Sequence, residues 1–223
     1  RAVRLEPAGR SMLLFALSTG RTTSNPLRWR SRRKAVLTLP RGERFEASHD
    51  AAGLYRQVQL DLGQVISAAA RPVYPHRAWR RTYNNKLPEL SEREVLVEYA
   101  AHAEARFHLS GGRTVPVDRV ERGQKRAALR PVNRADQRVT LRAVEKGSGR
   151  PVPVKLHVHG AAGEYLAPTD RHRLPNPHWF QDFSVDFTHA GVHHACYIPG
   201  ETVLDLPLGR VYVEISRGFE IRP

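Results

Sequence analysis

Residues 149–168 read GRPVPVKLHVHGAAGEYLAP, and residues 197–223 read YIPGETVLDLPLGRVYVEISRGFEIRP. In the first, Val152, Val154, Leu156 and Val158 occupy every second position, while Lys155, His157 and His159 fill the positions between. Alternation of this kind places two sets of side chains on opposite faces of a strand. In the second, Thr202–Leu206 and Val211–Ile215 are short runs closed by Pro199-Gly200 and Pro207-Leu208-Gly209. Short alternating strands between Gly and Pro turns are the mark of a β-sandwich.

Working outward, Gln137–Val144 alternates with Val139, Leu141 and Ala143 inward, and Lys146–Gly149 reads as a turn. Tyr165 and Leu166 follow a turn at Gly163, Asn176–Phe187 is rich in aromatics, and Ala195–Ile198 is a further strand. Upstream, strands are expected at Met12–Leu17, Lys34–Leu39, Leu54–Leu62, Glu94–Ala101, Ala105–Leu109 and Thr114–Val117. His102 and His108 have no ligand spacing and read as surface or edge histidines. The expected fold class is therefore all-β, with two β-sandwich-like domains of short antiparallel strands. Pro131-Val132-Asn133 divides them into a basic domain, 1–133, and a second sandwich, 134–223.

The 223 residues carry a formal net charge of +14, and lysine occurs only at 34, 86, 125, 146 and 155, so the charge is mostly arginine. Such a surface favours acidic partners, although a GC-rich genome produces the same bias. Two segments concentrate it. Arg21–Lys34 holds six basic residues and no acid, with Trp29 beside Arg30, Arg32 and Arg33. The loop 71–90 interleaves Tyr74, Trp79 and Tyr83 with Arg77, Arg80 and Arg81. Aromatic rings among arginines can stack on sugars or bases while the charges hold phosphates or carboxylates. These ten residues are the candidate polyanion or glycan contacts. The competing reading is a long surface loop whose rings tuck back onto the sandwich. Nucleic acid is supported by charge alone.

Cys196 is the single cysteine, so no disulfide can form within the chain and redox logic does not fix the compartment. No apolar run approaches the roughly 18 residues of a membrane helix. Ser11–Leu17 reads as a strand rather than the core of a signal peptide, and a chain starting at Arg1 reads as trimmed or a fragment. There is no Gly-x-Ser-x-Gly elbow, phosphate loop or Gly-x-Gly-x-x-Gly fingerprint.

The segments TLRAVEKGSGRPVPVKLHVHGAAGEYLAP, NPHWFQDF and YIPGETVLDLPLGRVYVEISRGFEIRP resemble the β-sandwich that precedes the catalytic domain in carbaryl-hydrolase-like bacterial metallohydrolases. That catalytic domain is of the PHP type, named for polymerase and histidinol phosphatase. More broadly, the segments resemble carboxypeptidase-regulatory and transthyretin-like sandwiches. The likeness covers residues 137–223. It implies an accessory region in a bacterial protein, cytoplasmic or extracellular, partnered by a catalytic domain. It carries no catalytic residue onto this chain. In such proteins the PHP domain, with its own His-x-His, follows the sandwich.

His157 and His159 have a second reading. Two residues apart on a strand, they share a face and can reach one ion, zinc or another divalent metal. His189, His193 or His194, or an acid such as Asp182 or Asp186, could complete such a site. The preferred reading keeps them as solvated strand histidines, with no cofactor, and Cys196 as a small buried residue. Three functions follow. The first is a non-catalytic accessory region for docking, assembly or substrate presentation. The second is a free-standing structural or binding protein for a polyanion or glycan. The third is a small metal-dependent hydrolase using the histidines.

Overall fold

The computed structural model describes residues 23–25, 27–75, 87–123, 127–170, 174–175, 182–183, 186–189 and 193–217, with 6, 9, 11 and 13 near the start. Apart from Leu13, the strand expected at Met12–Leu17 lies outside them, as do residues 76–86 of the loop 71–90. The first half contains β1 (Arg33–Thr38), β2 (Val58–Leu60), β3 (Gly63–Pro72), β4 (Leu90–Ala101), β5 (Arg106–Leu109), β6 (Arg113–Pro116), a short helix α1 (Val117–Glu121) and β7 (Leu129–Pro131). The second contains β8 (Ala135–Arg142), β9 (Val154–Gly160), β10 (Leu174–Pro175), β11 (Asp182–Phe183), β12 (Asp186–His189), β13 (His193–Ile198), β14 (Glu201–Pro207) and β15 (Val211–Ser216). The fold is all-β, as its alternating segments require.

In the first half, a sheet ordered β3-β4-β1-β7 faces a smaller one ordered β2-β5-β6. Between them lies an apolar cluster that includes Leu37, Val58, Val97, Tyr99, Phe107 and Leu129. Tyr99 and Phe107 meet edge to face at 4.9 Å between ring centroids, a favoured aromatic geometry. Glu94 joins three strands: its carboxylate takes Arg71 of β3 at 2.6 Å and Arg130 of β7 at 2.8 Å. Burial alone would raise its pKa, but the hydrogen bonds and charges of the two guanidiniums outweigh it and hold the group below the usual carboxylate range.

Two first-half expectations differ from the structure, and one strand is unanticipated. Leu54–Leu62 is strand only from Val58 to Leu60, because the Asp50 carboxylate accepts from the Ala52 and Leu54 amides at 2.9 Å each and ties the preceding residues into a turn. Residues 63–72, GQVISAAARP, form the strand β3, whose run of small residues carries little periodic signal. His102 is 2 % exposed rather than on the surface. Its Nδ1 accepts from the Glu104 amide at 3.1 Å, which leaves Nε2–H for the Ser24 hydroxyl at 2.8 Å. Both ring nitrogens are used, as a structural histidine requires.

In the second half, a sheet ordered β12-β13-β9-β15 faces the pair β14-β8. Val154, Leu156, Val158, Cys196, Ile198 and Leu204 form the core between them, so Cys196 is the small buried residue the sequence anticipates. Among the described residues, every strand pair is antiparallel. No helix among the described residues is long and apolar enough to cross a membrane.

The two cores are joined through the turn after β9. Gly163 sits at φ +83°, and a Cβ there would lie 2.0 Å from the Pro72 carbonyl oxygen at the end of β3. Lys34 Nζ lies 3.5 Å from the Tyr165 carbonyl, and Asn133 Nδ2 donates to the Leu208 carbonyl at 3.2 Å. Gly163→Ala combines a left-handed backbone with a backbone overlap. It is expected to lower unfolding stability by roughly 2–4 kcal/mol, read as a lower urea midpoint. An unchanged midpoint would show that the two halves do not meet here.

Candidate metal centre

β9 is where the sequence and the structure part company. Its alternation is present, with Val154, Leu156 and Val158 in the core. The other face is not solvated: His157 is 2 % and His159 1 % exposed. The preferred reading of solvated strand histidines is thus corrected. That face is covered by the first half of the chain, by β9's own turn and by His193 of β13, none of which alternation within one strand can reveal.

The cover is built as follows. β15 lies beside β9 with Tyr212 opposite His159 and Glu214 opposite His157. From the segment after β3, the Tyr74 ring lies flat against His159, with centroids 4.2 Å apart and planes 12° from parallel. Tyr74 also approaches Tyr212, at 6.2 Å. From β13, the His193 ring stacks on His157 at 3.9 Å and is itself 2 % exposed. Tyr165 lies 5.7 Å from His159. Gly160 leaves room for the buried Glu164, whose Oε1 would lie 1.9 Å from a Cβ there.

One nitrogen from each of His157, His159 and His193 lies within 4.8 Å of the other two, and among the described residues this is the cluster able to hold a metal ion. His157 Nδ1 is 2.8 Å from the His194 carbonyl, and His159 Nδ1 is 3.2 Å from the Gly163 carbonyl. A carbonyl only accepts, so both Nδ1 atoms carry the proton and both Nε2 atoms keep a lone pair. Metal-binding histidines are oriented in this way, by donating the other ring N–H to a backbone carbonyl. His159 Nε2 is buried and makes no hydrogen bond, in contrast to His102. A buried acceptor left unmade costs stability unless something else occupies it.

The electrostatics suit ligands rather than charged side chains. Burial, with His193 next, pushes His157 down to about 3, and burial pushes His159 down to about 3. Both rings are neutral over the range where imidazole binds metals. Glu214 is raised by burial, only partly offset by Lys155, and it is the acid placed by register beside the cluster.

The other predicted residues fall elsewhere. The register sets His189 opposite His193, but its side chain lies outside the described residues, as do those of Asp182 and Asp186 and all of Arg77, Trp79, Arg80, Arg81 and Tyr83. Tyr74, expected as a contact for a polyanion or glycan, is 7 % exposed and spends its face on His159; its place in the contact list is corrected. Trp29 is 44 % exposed. Arg30 pairs with Glu121 at 2.8 Å, Arg32 with Glu98 at 3.5 Å, and Arg33 Nη1 donates to the Ser31 hydroxyl at 2.7 Å. The sequence names all three clustered histidines but misses Tyr74 as their cover and Glu214 as the adjacent acid. The alternation of VYVEIS carried the only signal for Glu214.

The unfolded imidazoles take up protons near pH 6.5, whereas the folded ones resist until about pH 3. Between those values the unfolded state binds more protons, so stability falls as pH falls. Lys155, Glu214, Tyr74, Tyr212, His193 and His194 face the same region, and Glu214, with its raised pKa, acts in the opposite sense. The thermal midpoint of chelator-treated protein is expected to drop from pH 7 to pH 4.5, and more shallowly in His157→Phe. Equal slopes in the two proteins would contradict the assignment.

No family model, curated protein or solved structure matches this chain, so the functional reading rests on the geometry of the cluster itself.

Proposed function

We propose that this chain is a metal-binding, non-catalytic β-sandwich region in which His157, His159 and His193 hold one divalent transition-metal ion. The observation that carries the reading is the buried histidine cluster, in which two Nδ1–H groups are fixed on carbonyls and His159 Nε2 has no hydrogen bond. An all-imidazole set favours zinc, copper(II) or nickel(II) over the oxygen-seeking magnesium and calcium. Tetrahedral zinc at about 2.0–2.1 Å from each nitrogen holds its ligands roughly 3.3 Å apart. Reaching that spacing requires the His157 and His193 rings, stacked at 3.9 Å, to splay apart so that their nitrogens converge. Glu214 on β15 supplies negative charge beside the ion.

A closed site of this kind serves architecture. A catalytic zinc keeps a position that substrate can reach, whereas His157, His159 and His193 are only 2 %, 1 % and 2 % exposed and Tyr74 packs on the His159 ring. The ion ties β9 and β13 together beneath the segment that leaves β3, and so fixes the first half of the chain against the second. This role agrees with the resemblance of residues 137–223 to sandwiches that accompany a PHP-type catalytic domain: the region is a rigid mount for docking or substrate presentation, and the chemistry belongs to its partner.

Equilibrium dialysis of the whole chain against micromolar zinc, cobalt(II), nickel(II) and copper(II), with metal counted by mass spectrometry, tests the reading. About one equivalent of at least one metal is expected, falling below about a tenth in His157→Ala, His159→Ala and His193→Ala. At a thousandfold excess over Kd, the ion should stabilise the fold by about 4 kcal/mol. Failure of all four metals to bind would overturn the proposal, as would binding indifferent to the three substitutions.

A further inference from the structure

The second half is a sandwich of unequal layers. Among the described residues, the sheet β12-β13-β9-β15 faces only the pair β14-β8. β8 pairs with β14 along one edge, and no described strand pairs with its other edge. Leu141 is half-buried, and every other residue of Ala135–Arg142 is exposed.

The backbone of that open edge follows from the register. The Ala143 amide donates to the Gly200 carbonyl at 2.7 Å, and the pairing runs unshifted from Arg142↔Glu201 to Gln137↔Leu206. Successive residues of a strand turn their N–H and C=O groups to opposite edges. Gln137, Val139 and Leu141 therefore bond to β14, while Arg138, Thr140 and Arg142 present their backbone groups to the open edge. A bulge beside Pro207 affects only the first two residues of β8.

Edge strands are ordinarily blunted by proline, by bulges or by charge. Ala135–Arg142 contains no proline. Its arginines are answered within the sheet, Arg138 by Asp205 at 3.2 Å and Arg142 by Glu201 at 2.5 Å. Val139 shares a face with Leu141, which packs on the core, yet it is itself 37 % exposed.

Charge selects the partner and the register. When β8 is laid antiparallel against β8 of a second copy, outward-bonding residues must meet one another. The two registers with the longest overlap put the two-fold axis at Arg138 or at Val139. The first sets Arg138 against Arg138. The second sets Asp136 against Arg142 on both sides of the axis, Arg138 against Thr140, and Val139 against Val139. Opposite charges across a ladder are favourable and like charges are not, so the sequence of β8 is complementary to itself in one register.

We propose that β8 is a dimerisation edge that joins a second copy of this chain, antiparallel and centred on Val139. Such a contact is isologous and closes on itself. It turns two narrow layers into one four-stranded sheet, with β14 on both outer sides and the two β8 strands between. The histidine cluster lies on the far face of the opposite sheet, so pairing does not depend on metal.

Sedimentation equilibrium of the whole chain, with and without saturating zinc, tests this. A reversible monomer–dimer equilibrium is expected below about 1 mM in both conditions. Asp136→Arg, which sets like charges against each other, should weaken it by about tenfold or more. Thr140→Pro, which removes an outward amide that β14 does not use, should abolish it. Tyr197→Ser, which removes the 62 % exposed ring of the other sheet, should leave it unchanged. Thermal midpoints, measured where every variant is monomeric, separate lost pairing from lost folding. Hydrogen exchange at the Arg138, Thr140 and Arg142 amides should slow as protein concentration rises. A chain that stays monomeric to about 1 mM would overturn the proposal. So would a dimer lost in Tyr197→Ser but kept in Asp136→Arg and Thr140→Pro. Slow exchange of those three amides in the monomer would overturn it as well, by showing that another segment of the same chain holds the edge.

Discussion

β9 is buried on both faces but apolar on only one, and the rest of the structure answers that constraint. Val154, Leu156 and Val158 find their place in the second core. His157 and His159, equally buried, bring ring nitrogens that need partners. Two of those nitrogens are met by the His194 and Gly163 carbonyls. The turn at 160–164 must therefore come close enough to supply one of them, which the glycines at 160 and 163 permit. Pro72 and Tyr74 then close over the turn and the ring. The contact between the two halves of the chain thus follows from burying a polar face, and the cluster of His157, His159 and His193 follows from the same packing.

A buried polar face is the kind of feature that periodicity misreads. The period-two pattern in VKLHVHG correctly sorts its side chains to two faces, and the same logic finds β1, β4, β8, β13, β14 and β15 within a few residues. It says nothing about what lies beyond each face. A polar second face is ordinarily wet, and the return of the distant residues 72–74, with the His193 ring of β13, makes this one dry. β3 was invisible for a different reason: its alanines and serine pair well with β4 but carry no strong hydrophobic rhythm. Tyr74 illustrates the converse error, since an aromatic among arginines looks like a contact for an outside ligand until the structure places its ring on a histidine.

Two of the buried histidines, His102 and His159, differ from each other in an instructive way. His102 sits in a turn with both ring nitrogens engaged by its neighbours, Glu104 and Ser24, and so completes a local structure. His159 is equally buried, yet only its Nδ1 is engaged. Residue type and burial are the same; the accounting of donors and acceptors separates a histidine satisfied by its neighbours from one with a nitrogen left for a ligand role. The arginines divide by the same rule. Arg71 and Arg130 are absorbed by Glu94, and Arg30 by Glu121, whereas Arg33 keeps a buried N–H with no acceptor.

X-ray absorption at the metal edge of the zinc-loaded chain is the most direct measurement of the central claim. The account predicts a first shell containing three nitrogen scatterers at about 2.0–2.1 Å, with the outer-shell pattern of imidazole rings, and loss of one imidazole in His159→Ala. A shell of oxygens alone, or a spectrum unchanged by His159→Ala, would contradict it.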